Sequence, residues 1–203
     1  AGTFVRSAAS GTATFNTVTY DTIGAINVGA TATGLTTAPN VPVTVNAGAV
    51  SYLKVTAPSA SMTAGESLEL TVTAYDSGNN VATGYTGNKS LTFSGLANSP
   101  DGNIPAVETI NFGSATTVAF TSGVSSVNAA TLIAYKVESA FVDVSDGVVN
   151  STGNIAYDLD LTVNVNAASK LKFSTNPPTP VTVGLVWTPS FAVSIYDLYG
   201  NPR

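Results

Sequence analysis

The chain has 203 residues, of which 44% are hydrophobic and only 9% are charged, and its formal net charge is −5. It contains no histidine and no cysteine, which excludes the commonest general base, thiolate chemistry, disulfides and zinc ribbons. The seven Lys and Arg residues are scattered, which argues against a nucleic-acid partner, and no stretch approaches the roughly 18 consecutive apolar residues of a transmembrane helix. This composition favours β-strands and polar loops around a packed core.

Strand-like alternation begins at residue 12. The segment TATFNTVTY alternates first, and TIGAINVGATA and VPVTVNA follow on either side of the turn-forming stretch GLTTAPN. Alternation of β-branched residues between clusters of Gly, Pro and Asn indicates strands rather than helices. We therefore predict strands in all three segments before Gly48.

The region from Gly48 to Ala167 carries the longest series of predicted strands. They lie in LKVTA, SLELTVTAY, SLTFSGL, VETINF, TTVAF, AATLIAY, AFVDVSD and AYDLDLTVNV. AATLIAY and AFVDVSD are predicted to pair with each other around KVES. Such a run of short strands separated by turn signals predicts an antiparallel sandwich. Alternation assigns these residues to the core face of two strands: Leu68, Leu70, Val72 and Ala74, then Leu159, Leu161, Val163 and Val165.

One stretch of the chain occurs twice, once from Tyr52 and once from Lys170. Each copy has a short strand, a turn around a Gly, a longer alternating strand and a turn rich in Asp, Gly and Asn. The preceding strands, VTVNAGAV and VNVNAASK, recur with a period of about 120 residues. We therefore divide the chain into the later part of one repeat (1–48), a complete repeat (49–168) and the early part of the next (169–203). The echoed pairs are Leu53/Leu171, Val55/Phe173, Thr63/Thr182, Gly65/Gly184, Val72/Val193, Tyr75/Tyr196 and Asp76/Asp197.

The motifs of the repeat resemble the immunoglobulin-like repeats of bacterial and archaeal surface proteins, including the invasin/intimin and filamin groups. The motif residues are Leu53 to Val55, Pro58, Thr63 to Gly65, Tyr75 to Asn80 and Val81 to Gly87, with Asp197, Gly200, Asn201 and Pro202 in the third piece. The resemblance implies an all-β fold of tandem immunoglobulin-like antiparallel β-sandwiches, one complete and two partial. It also implies a non-catalytic structural module of an extracellular cell-surface protein, such as a stalk, S-layer or fibre. Its partners would be neighbouring repeats or other copies of the same chain.

The two partial repeats suggest how copies would associate. Incomplete sheets have unpaired edges, which are templates for strand addition. The third piece of one copy would then pair with the first piece of the next and propagate a filament. Together the two pieces lack the counterpart of the region around GYTGNKSLTF, a gap of about 30 residues by the repeat alignment.

Four aspartates are the candidate metal ligands: Asp143, Asp146, Asp158 and Asp160. Calcium takes roughly six to eight oxygen ligands, several of them from carboxylates, and it is the one cofactor that the sequence suggests. No EF-hand spacing is present, and a solvated strand face is the alternative explanation. The two Tyr-Asp pairs, at Asp76 and Asp197, also have two interpretations. One is a calcium or ligand site at the domain edge, and the other is a turn in which Asp accepts bonds from the following backbone amides.

Trp187 and Tyr196 are the candidate binding residues, because exposed aromatic rings can stack on sugars. Packing in a core or at a domain joint is the alternative use of these rings. Asn88 and Asn150 begin N-glycosylation sequons, both in predicted turns. These features leave two further functions open: an adhesin or carbohydrate-binding module that recognises a host or cell-surface glycan, and an accessory domain of a larger surface enzyme.

The chain itself is predicted not to be an enzyme. It has no GxSxG elbow, and no histidine is available to activate a nucleophile. It has no Walker A loop or GxGxxG motif that opens a helix.

Overall fold

The computed structural model describes residues 2–203, and throughout this range the chain forms strands, turns and loops without a helix. The predicted all-β fold class is therefore confirmed. No helix in the described range is available to cross a bilayer. The chain separates into two compact units, one ending at Ala47 and one spanning Gly48–Arg203.

The first unit contains a single antiparallel hairpin. Its strands are β1 (Gly24–Val28) and β2 (Val41–Val45), and their register runs from Gly24 opposite Val45 to Val28 opposite Val41. The predicted strand at 12–20 does not form, and apart from a bridge between Ala9 and Thr12 this region is irregular. Its counterpart in the complete repeat pairs with two neighbouring strands, and among residues 2–23 the structure forms no strand with which the 12–20 segment could pair.

The second unit contains a β-sandwich formed by two sheets. Its eight-stranded sheet has the order β3-β6-β11-β10-β7-β13-β14-β4, and its four-stranded sheet has the order β5-β12-β8-β9. Strand β3 also lies against β13 and β14 near the other end of the large sheet, so that sheet folds back around the core. The strands are β3 (Val50–Thr56), β4 (Ser61–Thr63), β5 (Ser67–Glu69), β6 (Thr71–Asp76), β7 (Gly87–Ser94), β8 (Ala106–Val107), β9 (Ile110–Asn111), β10 (Ala115–Thr121), β11 (Val124–Ser125), β12 (Thr131–Ile133), β13 (Glu138–Ser145) and β14 (Leu159–Asn164).

The predicted core face is largely confirmed. Of the eight residues assigned to it, seven are buried in one hydrophobic cluster, which also contains Phe93, Leu91 and Val118. Val165, the eighth, is half-buried because β14 ends at Asn164. Burying this many Leu, Val and Phe side chains is the main stabilising contribution to the sandwich.

Two pairing predictions are wrong. SLELTVTAY was expected to form one strand, but it divides at Leu70 into β5 and β6, which belong to different sheets. The alternation of buried and less buried residues continues from β5 into β6. Leu70 stays in the core, and its amide donates a hydrogen bond to the carbonyl of Ala130. AATLIAY and AFVDVSD were expected to pair with each other. Instead β12 pairs with β5 and β8, whereas β13 pairs with β14 and β7.

A last hairpin follows the sandwich within the second unit. It consists of β15 (Lys170–Thr175) and β16 (Ala192–Tyr196). Leu171 opposes Ile195 and Phe173 opposes Val193, just as the echoed residues of β3 and β6 oppose each other. Strands β1 and β2 pair antiparallel, as β13 and β14 do. The flanking hairpins therefore reproduce the strand pairing of two parts of the complete sandwich.

Candidate functional site

A dense group of polar contacts forms at the turn Asp197–Asn201, here called the docking turn. The Oδ1 atom of Asp197 accepts hydrogen bonds from the backbone amides of Tyr199 and Asn201, each at 2.9 Å. Its Oδ2 atom accepts from the side chain of Asn201 at 2.8 Å and from the amide of Asn166 at 3.3 Å. Both Asp197 and Asn201 are buried. The carboxylate thus fixes the shape of the turn and holds it to the end of β14.

The docking turn also contacts the loop after β12. The Asn201 side chain accepts a hydrogen bond from the amide of Val137 at 2.9 Å and donates to the carbonyl of Tyr135 at 2.8 Å. The rings of Tyr135 and Tyr199 lie 5.0 Å apart. The carbonyl of Tyr199 accepts from the amide of Asp101 at 3.1 Å. Buried, saturated hydrogen bonds of this kind define a single orientation, so the turn fastens the last hairpin to the sandwich.

Gly65 provides space for the docking turn. It has a φ of +83°, and a Cβ atom added there would overlap the hydroxyl group of Tyr199. Any side chain at this position would therefore be strained by the backbone and would collide with the ring. The glycine of the TAG motif thus serves the joint as well as its own turn.

An ion-pair cluster lies beside the docking turn. Lys170 and Lys172 both bind the carboxylate of Asp101, and the Lys172–Asp101 distance is 2.9 Å. Hydrogen bonds from the two lysines hold the pKa of Asp101 below its ordinary value. The three side chains are partly exposed, so we expect the cluster to orient the hairpin more than to stabilise it.

The equivalent turn in the complete repeat has the same internal bonds. Asp76 accepts from the amides of Gly78 and Asn80 through Oδ1, each at 2.9 Å, and from the amide of Gly48 through Oδ2 at 2.8 Å. The amide of Asn166 makes the equivalent bond to Oδ2 of Asp197. Hydrogen bonds from Gly48 and Asn80 hold the pKa of Asp76 below its ordinary value. At Asp197 burial raises the pKa, but the bonds from Asn201 outweigh it and the net shift is downward. Both aspartates accordingly serve as ionised turn-forming groups.

The four candidate calcium ligands do not form one cluster. Asp143 and Asp158 are neighbours, and burial together with this second carboxyl raises the pKa of Asp143 to about 6. Asp146 instead accepts from the amides of Val148 and Val149 within its own turn. In residues 2–203 no group of three or more acidic side chains is arranged to hold a metal ion. Asp160 is exposed on β14.

The Asp146 carboxylate has a structural partner as well. It accepts a hydrogen bond from the hydroxyl group of the buried Tyr85 at 2.7 Å. Burial and this carboxylate both raise the pKa of Tyr85. Two backbone amides and one phenol therefore occupy the oxygens that a calcium ion would need.

The two candidate binding aromatics have different surroundings. Trp187 is 46% exposed, lies 5.9 Å from the ring of Phe191, and borders a shallow hollow of about 150 Å³ with Pro178 and Leu185. Tyr196 is half-buried in β16, and the ammonium group of Lys172 lies 5.2 Å from its ring centre. Of the two, Trp187 is the more accessible to a ligand.

Sequence reasoning missed a stack of three tyrosine rings. Tyr52 lies between Tyr75 at 5.2 Å and Tyr157 at 4.0 Å, with nearly parallel planes. Burial and its tyrosine neighbours raise the pKa of Tyr52. The facing positions of Tyr52 and Tyr75 follow from strand pairing, but Tyr157 comes from a loop more than 100 positions along the chain, and no sequence signal joins it to the pair.

The two sequons lie on exposed residues. Asn150 follows the β13 turn as predicted, and its carbonyl accepts the amide of Leu53. Asn88, in contrast, was predicted in a turn but belongs to β7, where it pairs with Ala119. The turn before β7 ends earlier than the sequence suggested, because β10 extends the ladder to Gly87.

Comparisons of the chain with protein-family models and with curated proteins found no match. The functional argument therefore depends on the geometry of the chain itself.

Proposed function

We propose that this chain is a non-catalytic structural module of an extracellular surface protein, a stalk, S-layer or fibre built from tandem immunoglobulin-like repeats. The observation that carries the proposal is the docking turn. A buried carboxylate and a buried amide side chain join the last hairpin to the sandwich through a saturated set of hydrogen bonds. A spacer needs joints that transmit orientation from one repeat to the next, and this turn has that property.

The remaining surface suits the same role. Antiparallel strands resist separation along their length because the ladder bonds share the load. Charged residues make up 9% of the chain, so its surface offers few sites for non-specific ionic contacts. The carboxylates of Asp76, Asp146 and Asp197 accept hydrogen bonds from backbone amides of the chain itself.

Limited proteolysis of the joint tests the proposal. We expect Asn201→Ala to release the segment 169–203 from the sandwich and to accelerate its cleavage. The reason is that the backbone amide and the backbone carbonyl of the sandwich that bond to the Asn201 side chain lose their partner. The matched control is Asn176→Ala, at an exposed position of the same segment, which we expect to be cleaved at the wild-type rate. Equal cleavage rates for all three proteins would show that the turn does not hold the joint.

A binding module is the second candidate function, and the exposed Trp187–Phe191 pair beside its hollow favours it. A glycan array and a calcium titration followed by thermal melting separate the two. Glycan binding that is lost in Trp187→Ala, or a calcium-dependent rise in melting temperature, would support an adhesin. The absence of both is the result expected for a spacer.

A further inference from the structure

The stacked tyrosine rings bring two distant parts of the sandwich into direct contact. The ring centre of Tyr52, on β3, lies 4.0 Å from that of Tyr157, and the two ring planes are only 13° apart. This separation is close to the optimal distance between two non-bonded carbon atoms, so the faces of the two rings touch. Both side chains are half-buried, which leaves part of each ring accessible to small solutes.

Hydrogen bonds on both sides of the contact hold the pair in place. The amide of Val55 donates to the carbonyl of Tyr157 at 2.8 Å, which fastens the backbone beside Tyr157 to β3. The hydroxyl group of Tyr52 donates to Oδ1 of Asn79 at 2.9 Å. Asn79 is exposed, so a proton that leaves the Tyr52 hydroxyl has a route to water.

The pair joins the beginning of the sandwich to its end. Tyr52 lies on β3, the first strand of the sandwich, and Tyr157 lies two residues before β14, its last strand. More than 100 residues of the chain lie between the two rings. A covalent bond here would carry a load between the first and last strands without extending the strands between them.

We propose that Tyr52 and Tyr157 form an oxidative cross-linking site, at which a carbon–carbon bond joins the Cε atoms of the two rings. Each phenol loses one electron and its hydroxyl proton, and the two phenoxyl radicals couple at carbons next to their oxygens. The hydrogens on the coupled carbons then leave to water while both oxygens regain a proton, which restores the phenols. A peroxide accepts the two electrons. With hydrogen peroxide, the products are one cross-linked pair and two water molecules.

The other tyrosine contacts are less suited to this coupling, because two ring carbons must meet. Tyr75 lies on the opposite face of Tyr52 at the longer distance of 5.2 Å. The rings of Tyr135 and Tyr199 are 5.0 Å apart and inclined by 56°. The short, nearly parallel contact of Tyr52 with Tyr157 is therefore the one that we expect to react.

Oxidation of the dilute protein by persulfate and a light-activated ruthenium complex tests the site. Persulfate is a peroxide that takes up two electrons and yields two sulfate ions. We expect a chain that remains a monomer on a denaturing gel, has lost the mass of two hydrogen atoms, and shows dityrosine fluorescence. After trypsin digestion, segment 7–54 should be linked to segment 137–170, in which Tyr157 is the single tyrosine.

Two phenylalanine variants identify the partner of Tyr157. Tyr52→Phe keeps a ring in the stack but has no phenol to oxidise, so the linked peptides should disappear. The matched control is Tyr20→Phe, which removes a 46% exposed phenol from the same tryptic segment and should keep the wild-type yield. The inference is overturned if the link does not form, if it joins different chains, if it joins segment 7–54 to 55–89 instead, or if Tyr52→Phe retains it.

Stretching single molecules measures the mechanical use of the bond, which rests on the proposed structural function. The more than 100 residues between the two rings would each contribute about 3.4 Å when extended. The oxidised wild type should therefore release roughly 350 Å less length on unfolding than oxidised Tyr52→Phe. Equal lengths would overturn the mechanical use. A chain that does not cross-link, but whose last hairpin is still released by Asn201→Ala in proteolysis, would overturn this inference and leave the spacer function standing.

Discussion

Leu53 and Leu171 occupy the same repeat position in opposite environments, and truncating each to alanine measures what burial contributes. Leu53 is fully buried in the sandwich core, whereas Leu171 is 71% exposed on the last hairpin. Removing a buried leucine side chain costs about 2–5 kcal/mol, from lost transfer free energy and the cavity left behind. Substitution of an exposed residue changes stability by about 0.5 kcal/mol or less. We therefore expect Leu53→Ala to destabilise the sandwich severely and Leu171→Ala to leave it almost unchanged.

Urea unfolding followed by far-ultraviolet circular dichroism measures both variants. The protein should be dilute, so that unfolding is measured on the single chain. Leu53→Ala should lower the urea midpoint, and an unchanged slope would show that the change lies in stability. Equal destabilisation by the two substitutions in dilute protein would refute the reasoning, because the two positions would then have the same degree of burial. A midpoint for Leu53→Ala within error of the wild type would refute it as well.

Three further predictions concern polar groups. Tyr85→Phe should destabilise the sandwich by about 1–3 kcal/mol in urea unfolding, because the bond to the Asp146 carboxylate is charge-assisted; a wild-type midpoint would contradict this. Asp197→Ala should free the last hairpin, seen as faster amide exchange in β15 and β16. Because the pKa of Asp197 is lowered in the folded protein, the stability that its carboxylate contributes should be fully present above the ordinary pKa of 3.8. That stability should be lost as the pH falls through the pKa of the folded state. Asp143 behaves oppositely, because its pKa is raised to about 6 in the folded protein. The stability that it contributes is fully present below the pKa of the unfolded chain and is lost as the pH rises through about 6. Asp143→Asn should flatten that part of the pH–stability profile, and an unaltered profile would show that Asp143 does not titrate there.

The turns and the core face were accessible from the sequence because they follow from local chemistry. Asp76 and Asp197 sit at the ends of alternating strands, where a short carboxylate can accept the amides two and four residues ahead. The alternation in SLELTVTAY correctly selected the buried side of the strand, although the strand divides at Leu70. Alternation with a period of two shows which side of a strand is buried, but it carries no information about which sheet the strand joins.

The joint and the acidic residues were not accessible in this way. The partners of Asn201, at Tyr135 and Val137, lie more than 60 positions earlier in the chain. Asp143 has Asp158 as its carboxyl neighbour, whereas Asp146 accepts hydrogen bonds from the backbone amides of its own turn. Grouping these aspartates by sequence proximity combined residues whose side chains have different partners.

The sequence by itself determined the all-β class, the alternating core face and the Asp turns, since each depends on residues close together along the chain, and it determined the repeat because the two copies can be compared letter by letter. The tertiary structure decided which strands pair, which copy of a repeated strand is covered, and how a turn of one repeat fastens to the sandwich before it. Leu53 and Leu171 show the reason: the same residue in the same local pattern is buried or exposed according to strands that lie far away in the chain.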